Sequence, residues 1–93
     1  MFIGKFVLVR TKDAGVHHGF LESIADTAVL LRESRRLWKW DGAFTLNEIA
    51  LRGCEESSRI SEPVELILLT QAIEVIPCTP EAEVNLRRSR NGA

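Results

Sequence analysis

RRLWKWDGAFTLNEIALRG, residues 35–53, joins an alternating stretch to the best-marked helix start in the chain. The helix is read from its ends. Thr45 is followed three residues later by Glu48, the spacing of a capping box. The Thr45 hydroxyl accepts from the backbone N–H at 48, and the Glu48 carboxylate reaches back to the N–H of Thr45. Phe44 and Ile49 stand where a hydrophobic staple forms. Leu46, Ile49 and Ala50 recur at i, i+3, i+4 and give one apolar stripe. Arg52 suits the negative end of the helix dipole, and Gly53 suits the left-handed residue that ends it. The spacing predicts a helix over 46–52.

The first half of the stretch alternates. In an extended chain Arg36, Trp38 and Trp40 share one face, while Arg35, Leu37 and Lys39 share the other. Two indoles beside a guanidinium suit base stacking and a phosphate contact. Equally, they suit core or subunit-interface positions where each indole N–H meets a carbonyl. Trp40 abuts a turn at Asp41-Gly42.

Outward from there the chain reads as strands. The run FVLV within 5–10 is too short for a helix and rich in β-formers, a strand covered on both faces. Lys12 to Gly15 is a turn, and 16–24 returns as the second strand of a hairpin. Residues 27–34 form a third strand with Val29 and Leu31 inward, and the indole segment either continues it or bends away. After the helix, 54–63 is a polar loop. Strands follow at 64–69 and 73–76, with Thr70-Gln71 a turn between them or a bulge in one bent strand. Pro77, lacking an N–H, ends the pairing. Thr79-Pro80 opens a second helix, with Glu81 and Glu83 in its first turn and Arg87, Arg88 and Arg90 near its end.

The expected fold is α+β: a small antiparallel sheet of about five strands, either open or curled toward a half-barrel, with two short helices. Residues 1–93 make a single domain with a core over about 5–80 and a C-terminal helix over about 80–90. A domain of this size buries only about 60–65% of its unfolded surface. Strands apolar on both faces, such as Leu30 opposite Val29, therefore point to a homo-oligomer, a dimer or tetramer.

The net charge of −1 argues against a general nucleic-acid binder, which carries a basic excess. Nine Arg against three Lys favours bidentate recognition of phosphate or carboxylate. Two cysteines make no disulfide framework, and nothing resembles a signal peptide or a membrane span. The expectation is a cytoplasmic protein with reduced thiols.

Chemistry-bearing clusters are few. His17 and His18 are adjacent, so on a strand they point to opposite faces and cannot share an ion. One is expected at the surface and one against the sheet, and no metal or other cofactor is implied. Cys54 and Cys78 have no evident activator, and Ser57, Ser58 and Ser61 lack a nucleophile-elbow context. No catalytic residues are expected. Binding residues remain: Ser58, Arg59 and Ser61 in one loop, Arg10 and Thr11 at a strand end with His17 nearby, and Arg36, Trp38 and Trp40 on the indole face.

The strings VLVRT and AGVHHGFL, then SRRLWKWDGAFTLNEIALRG, then SRISEPVELILLTQAIEVIPC, resemble a family of small uncharacterised proteins encoded by tailed phages and prophages. The resemblance covers about 7–80. It rests on Arg10-Thr11, Gly15-Val16-His17, Arg35-Arg36, Trp38, Trp40, Gly42-Ala43, Leu46, Gly53, Ser58-Arg59, Ser61, Pro63-Val64, Thr70 and Ile76-Pro77-Cys78. It implies an accessory role in the host cytoplasm rather than a replication enzyme, and transfers no catalytic motif. By analogy with sponge proteins, it implies sequestration of a nucleotide-type immune signal, either a cyclic oligonucleotide or an ADP-ribose derivative. The alternatives it leaves are a protein–protein inhibitor of a host defence effector, like an anti-CRISPR protein, and a minor virion component.

Overall fold

The computed structural model describes residues 2–88. The elements run β1 (Phe6–Thr11), β2 (Val16–Ala25), β3 (Ala28–Lys39), α1 (Leu46–Arg52), β4 (Arg59–Ile60), β5 (Val64–Leu69), β6 (Ala72–Pro77) and α2 (Pro80–Arg87). All ladders are antiparallel, so the fold is α+β with a six-stranded sheet and two helices. β4, β3, β2, β1 and β6 follow in order, and β5 lies beside the first half of β3.

The indole segment therefore continues the third strand. The two-residue β4 hides inside the expected polar loop and pairs Ile60 with Leu37. Thr70-Gln71 is a turn between two strands, and it carries the chain from one sheet edge to the other. Leu69 pairs with Val29 on β3, and Ala72 with Thr11 on β1. The Thr27 carbonyl accepts from the Ala72 N–H, and the Thr27 hydroxyl donates to the Thr70 carbonyl. The edges meet at that turn, but no ladder joins β5 to β6, so the sheet is open.

Both faces of the sheet are filled. One carries Phe6, Leu8, Val16 and Leu37 against Ile49, Ala50 and Leu86 of the helices. On the other, Val7, Val9, Leu21, Val29, Leu31 and Leu69 pack inside the curl. The curl thus covers much of what two-sided strands had assigned to a partner subunit. Leu66 and Leu68 stay more than half exposed.

The side-chain caps hold, but the capping box is half-formed, since among the described residues the Thr45 N–H makes no bond to the Glu48 carboxylate. Thr45 Oγ1 accepts from the Glu48 N–H, and Thr79 Oγ1 from the Ala82 N–H. The staple does not form: Phe44 is 96% exposed, while Ile49 is buried in the helix-side core. α2 is shorter than expected, ending at Arg87 with Arg88 as its cap. Arg90 lies outside the described residues.

A kink in β3 fixes which side chains face which layer. Glu33 sits at φ +50°, and pairing shifts there by one residue: Phe20 faces Arg32, but His18 faces Arg35. Such a bulge reverses the side-chain alternation beyond it. Leu31 points into the curl before the bulge, yet after it Leu37 packs on the helix side. Gly19 makes room for the bulge, since a Cβ there would lie 2.8 Å from the Arg32 carbonyl oxygen.

Candidate functional site

Beyond the Glu33 bulge, Ser34, Arg36 and Trp38 turn toward the open end of the curl, where His17 of β2 faces Arg36 across the ladder. Together they line a groove of about 420 Å³, walled by Val64 and Ile67 of β5 and rimmed by Ser61 and Glu62. That volume is within the range of small-molecule sites. Trp38 is half exposed beside it. Arg36 is exposed and makes no ion pair among the described residues.

The floor is neutral and polar. Ser34 is 1% exposed, and its hydroxyl has no hydrogen-bond partner among the described residues. An unsatisfied buried hydroxyl costs roughly 1–3 kcal/mol. His17 is also 1% exposed, and its Nε2 lies 2.9 Å from the Ala14 carbonyl. A carbonyl only accepts, so Nε2 carries the proton. Burial holds the His17 pKa below its ordinary value, the Ala14 contact opposes this, and the Arg36 guanidinium adds to the lowering. The imidazole is neutral at pH 7.

This yields an expected pH dependence. A histidine with a lowered folded pKa binds fewer protons folded than unfolded, so its stabilising effect is complete above about pH 6.5. It is lost as pH falls below that value, at no more than about 1.4 kcal/mol per pH unit. His17→Gln, which keeps an N–H for the Ala14 carbonyl, should flatten the fall in unfolding free energy between pH 6.5 and 5. An identical slope in both proteins would contradict the assignment.

The sequence-derived binding set divides. His17, Arg36, Trp38 and Ser61 converge on this groove. Ser61 also braces the chain there, since its Oγ accepts from the Arg36 N–H at 2.8 Å and donates to the Glu62 carbonyl. Arg10 and Trp40 line a separate depression with Glu74 and Phe44, and Arg10 pairs with Glu74 at 3.7 Å. Trp40 leaves the shared face because the strand ends at Lys39, and its ring packs against the helix-side core.

Thr11 braces the β1–β2 turn, donating to the Gly15 carbonyl and accepting from the Ala14 N–H. It does not line the groove. Ser58 is buried, and its Oγ accepts from the Asp41 N–H. Arg59 lies exposed on β4 and lines neither depression. The histidines do face opposite layers, but both are buried, with His18 packed at 5.0 Å from the Phe6 ring.

Sequence reasoning missed Ser34 and Arg35. Arg35 points to the helix side, where Nε donates to the Ser61 carbonyl at 2.6 Å and NH1 to the Arg88 carbonyl at 2.8 Å. It ties the end of α2 to the loop that rims the groove. Alternation across Arg35-Arg36 was the available signal: adjacent arginines on one strand point to opposite layers and serve different ends.

The groove holds no nucleophile in hydrogen-bond contact with a base, since Ser34 Oγ does not reach His17. Burial and the Glu83 carboxylate push the Cys78 thiol up to about 12, far from a reactive thiolate. Among the described residues no three His, Cys, Asp or Glu side chains are placed to hold a metal ion. No described helix is long and apolar enough to cross a membrane.

A curled open sheet with two helices on one face defines a small α+β domain, and a groove of ligand size lies at the end of the curl. Over residues 4–86 the chain matches the family model of a domain of unknown function, DUF6948, and it belongs to that family. The comparison with curated proteins finds no match.

Proposed function

We propose that the protein is a non-catalytic binding protein that sequesters a nucleotide-type ligand in the groove of His17, Ser34, Arg36 and Trp38. The observation that carries this reading is the convergence on one 420 Å³ groove of a half-exposed indole and a guanidinium with no carboxylate partner among the described residues. An indole stacks any nucleobase, and a guanidinium pairs with phosphate oxygens. The setting, blocking a host defence signal of the cyclic-oligonucleotide or ADP-ribose class during phage infection, comes from the family resemblance and not from the groove. The exposed Leu66 and Leu68 support assembly as a dimer or tetramer.

Thermal-shift screening against cyclic mono- and dinucleotides and ADP-ribose tests the reading. A ligand at 100 times its Kd adds about 2.7 kcal/mol of stability. Calorimetric titration of a hit should show Arg36→Ala losing roughly 1.5–3 kcal/mol and Trp38→Ala roughly 1–3. The ligand should be recovered unchanged after heat denaturation, and light scattering of the same sample reads the subunit count. Unaltered affinity in both variants, or a chemically altered ligand, would overturn the proposal.

A further inference from the structure

The groove contains three cationic or potentially cationic side chains, and only one of them is available to an anion. Arg35 is buried, with its donors on the carbonyls of Ser61 and Arg88. His17 is neutral, and its Nε2 proton is on the Ala14 carbonyl. That leaves Arg36. Glu62 lies in the same groove, so a ligand bringing a second or third negative charge meets a carboxylate rather than another cation.

Ser34 supplies an independent observation. Its hydroxyl is buried at the floor with no partner among the described residues, while the bulge at Glu33, a residue with a Cβ held at positive φ, is what turns it there. Strain and an unsatisfied polar group in one place mark a position kept for something other than stability. A hydroxyl both donates and accepts, so it suits an uncharged sugar hydroxyl or base-edge group.

We infer that each groove takes one nucleoside unit bearing a single phosphodiester charge, with that charge on Arg36, the base against Trp38 and an uncharged polar group on Ser34. This rests on the binding reading above and narrows it. Phosphodiesters, including one unit of a cyclic oligonucleotide, are favoured over pyrophosphates such as ADP-ribose and over nucleoside triphosphates.

The test is calorimetric titration with the four 3′,5′-cyclic mononucleotides, cyclic di-AMP and cyclic di-GMP, the four 5′-triphosphates and ADP-ribose. At least one phosphodiester should bind with a Kd tenfold or more below those of its triphosphate and of ADP-ribose. Ser34→Ala should weaken that binding about tenfold while the unfolding midpoint stays level or rises, because the unsatisfied hydroxyl is gone. Ser34→Cys, close in size but a weak donor, should behave similarly. Tighter binding of a triphosphate or of ADP-ribose would overturn the inference. So would Ser34→Ala and Ser34→Cys proteins that bind as wild type. If affinity then still depends on Arg36 and Trp38, the binding reading stands without this refinement. Should none of these probes bind, both fall.

Discussion

Arg35→Ala should lower the unfolding free energy by about 3–6 kcal/mol, because it removes two short charge-assisted bonds worth roughly 1.5–3 kcal/mol each. The side chain is buried between layers. Besides the carbonyls of Ser61 and Arg88, its NH1 lies 3.4 Å from those of Leu86 and Arg87, and NH2 lies 3.5 Å from that of Ile60. The last carbonyls of a helix have no partner within it, so a cation there serves the dipole and the orphan acceptors together. Truncation leaves several of these acceptors facing an apolar void. Urea unfolding followed by circular dichroism measures the loss as a lower midpoint at unchanged slope. Arg35→Lys keeps the charge but not the fork of donors, and should recover less than half. An alanine variant within about 1 kcal/mol of wild type would show that water replaces the guanidinium at no great cost. For a domain whose whole stability is of the order of 5–15 kcal/mol, the expected loss approaches the limit of folding.

The helices were legible because their signals are local. Thr45, Gly53, Thr79 and Pro80 act within one turn of chain, and each stands where its spacing puts it. Strands β1 and β5 were legible from composition. The curl was not, because it depends on Thr70-Gln71 reaching from one sheet edge to the other, and no residue type in that dipeptide encodes the span. Nor was the bulge: Glu33 has no mark of a positive-φ residue in its sequence context. Simple alternation from Leu31 places Ser34 and Arg36 on the helix side, and one extra residue reverses both.

For the site, the relative phase of Arg36 and Trp38 survives the bulge, since both lie beyond it. That is why local alternation found much of the groove and missed Ser34 at its floor. The hydroxyls of Thr11, Ser58 and Ser61 looked like a ligand's partners but brace turns and loops. Short polar side chains do this wherever a backbone N–H is within reach, and sequence alone does not distinguish the two uses. The orphan hydroxyl of Ser34 differs from them because the described fold gives it nothing to bond.

The second large effect is expected at Gly53. The residue sits at φ +85°, ψ −156°, a region occupied almost only by glycine, where a side chain costs about 1–3 kcal/mol. A Cβ there would also run into the Asn85 amide. That amide accepts from the Cys54 N–H and donates to the Cys54 carbonyl, each at 3.0 Å, locking the end of α1 to α2. Displacing it forfeits two bonds worth about 1 kcal/mol each. A seven-residue helix has no stability of its own, so α1 depends on this junction. Gly53→Ala should therefore cost about 3–5 kcal/mol by urea unfolding. A double-mutant cycle with Asn85→Ala separates the causes. Asn85→Ala alone should cost roughly 2 kcal/mol, and the pair should cost less than the sum of the singles, because the added methyl then has no amide to meet. What remains for Gly53→Ala in the Asn85→Ala background is the backbone strain together with the contact to the Cβ of residue 85, which lies 2.6 Å from the added methyl and is kept by alanine. A Gly53→Ala protein less than about 1 kcal/mol below wild type would refute both contributions, and strict additivity in the cycle would refute the clash with the amide alone.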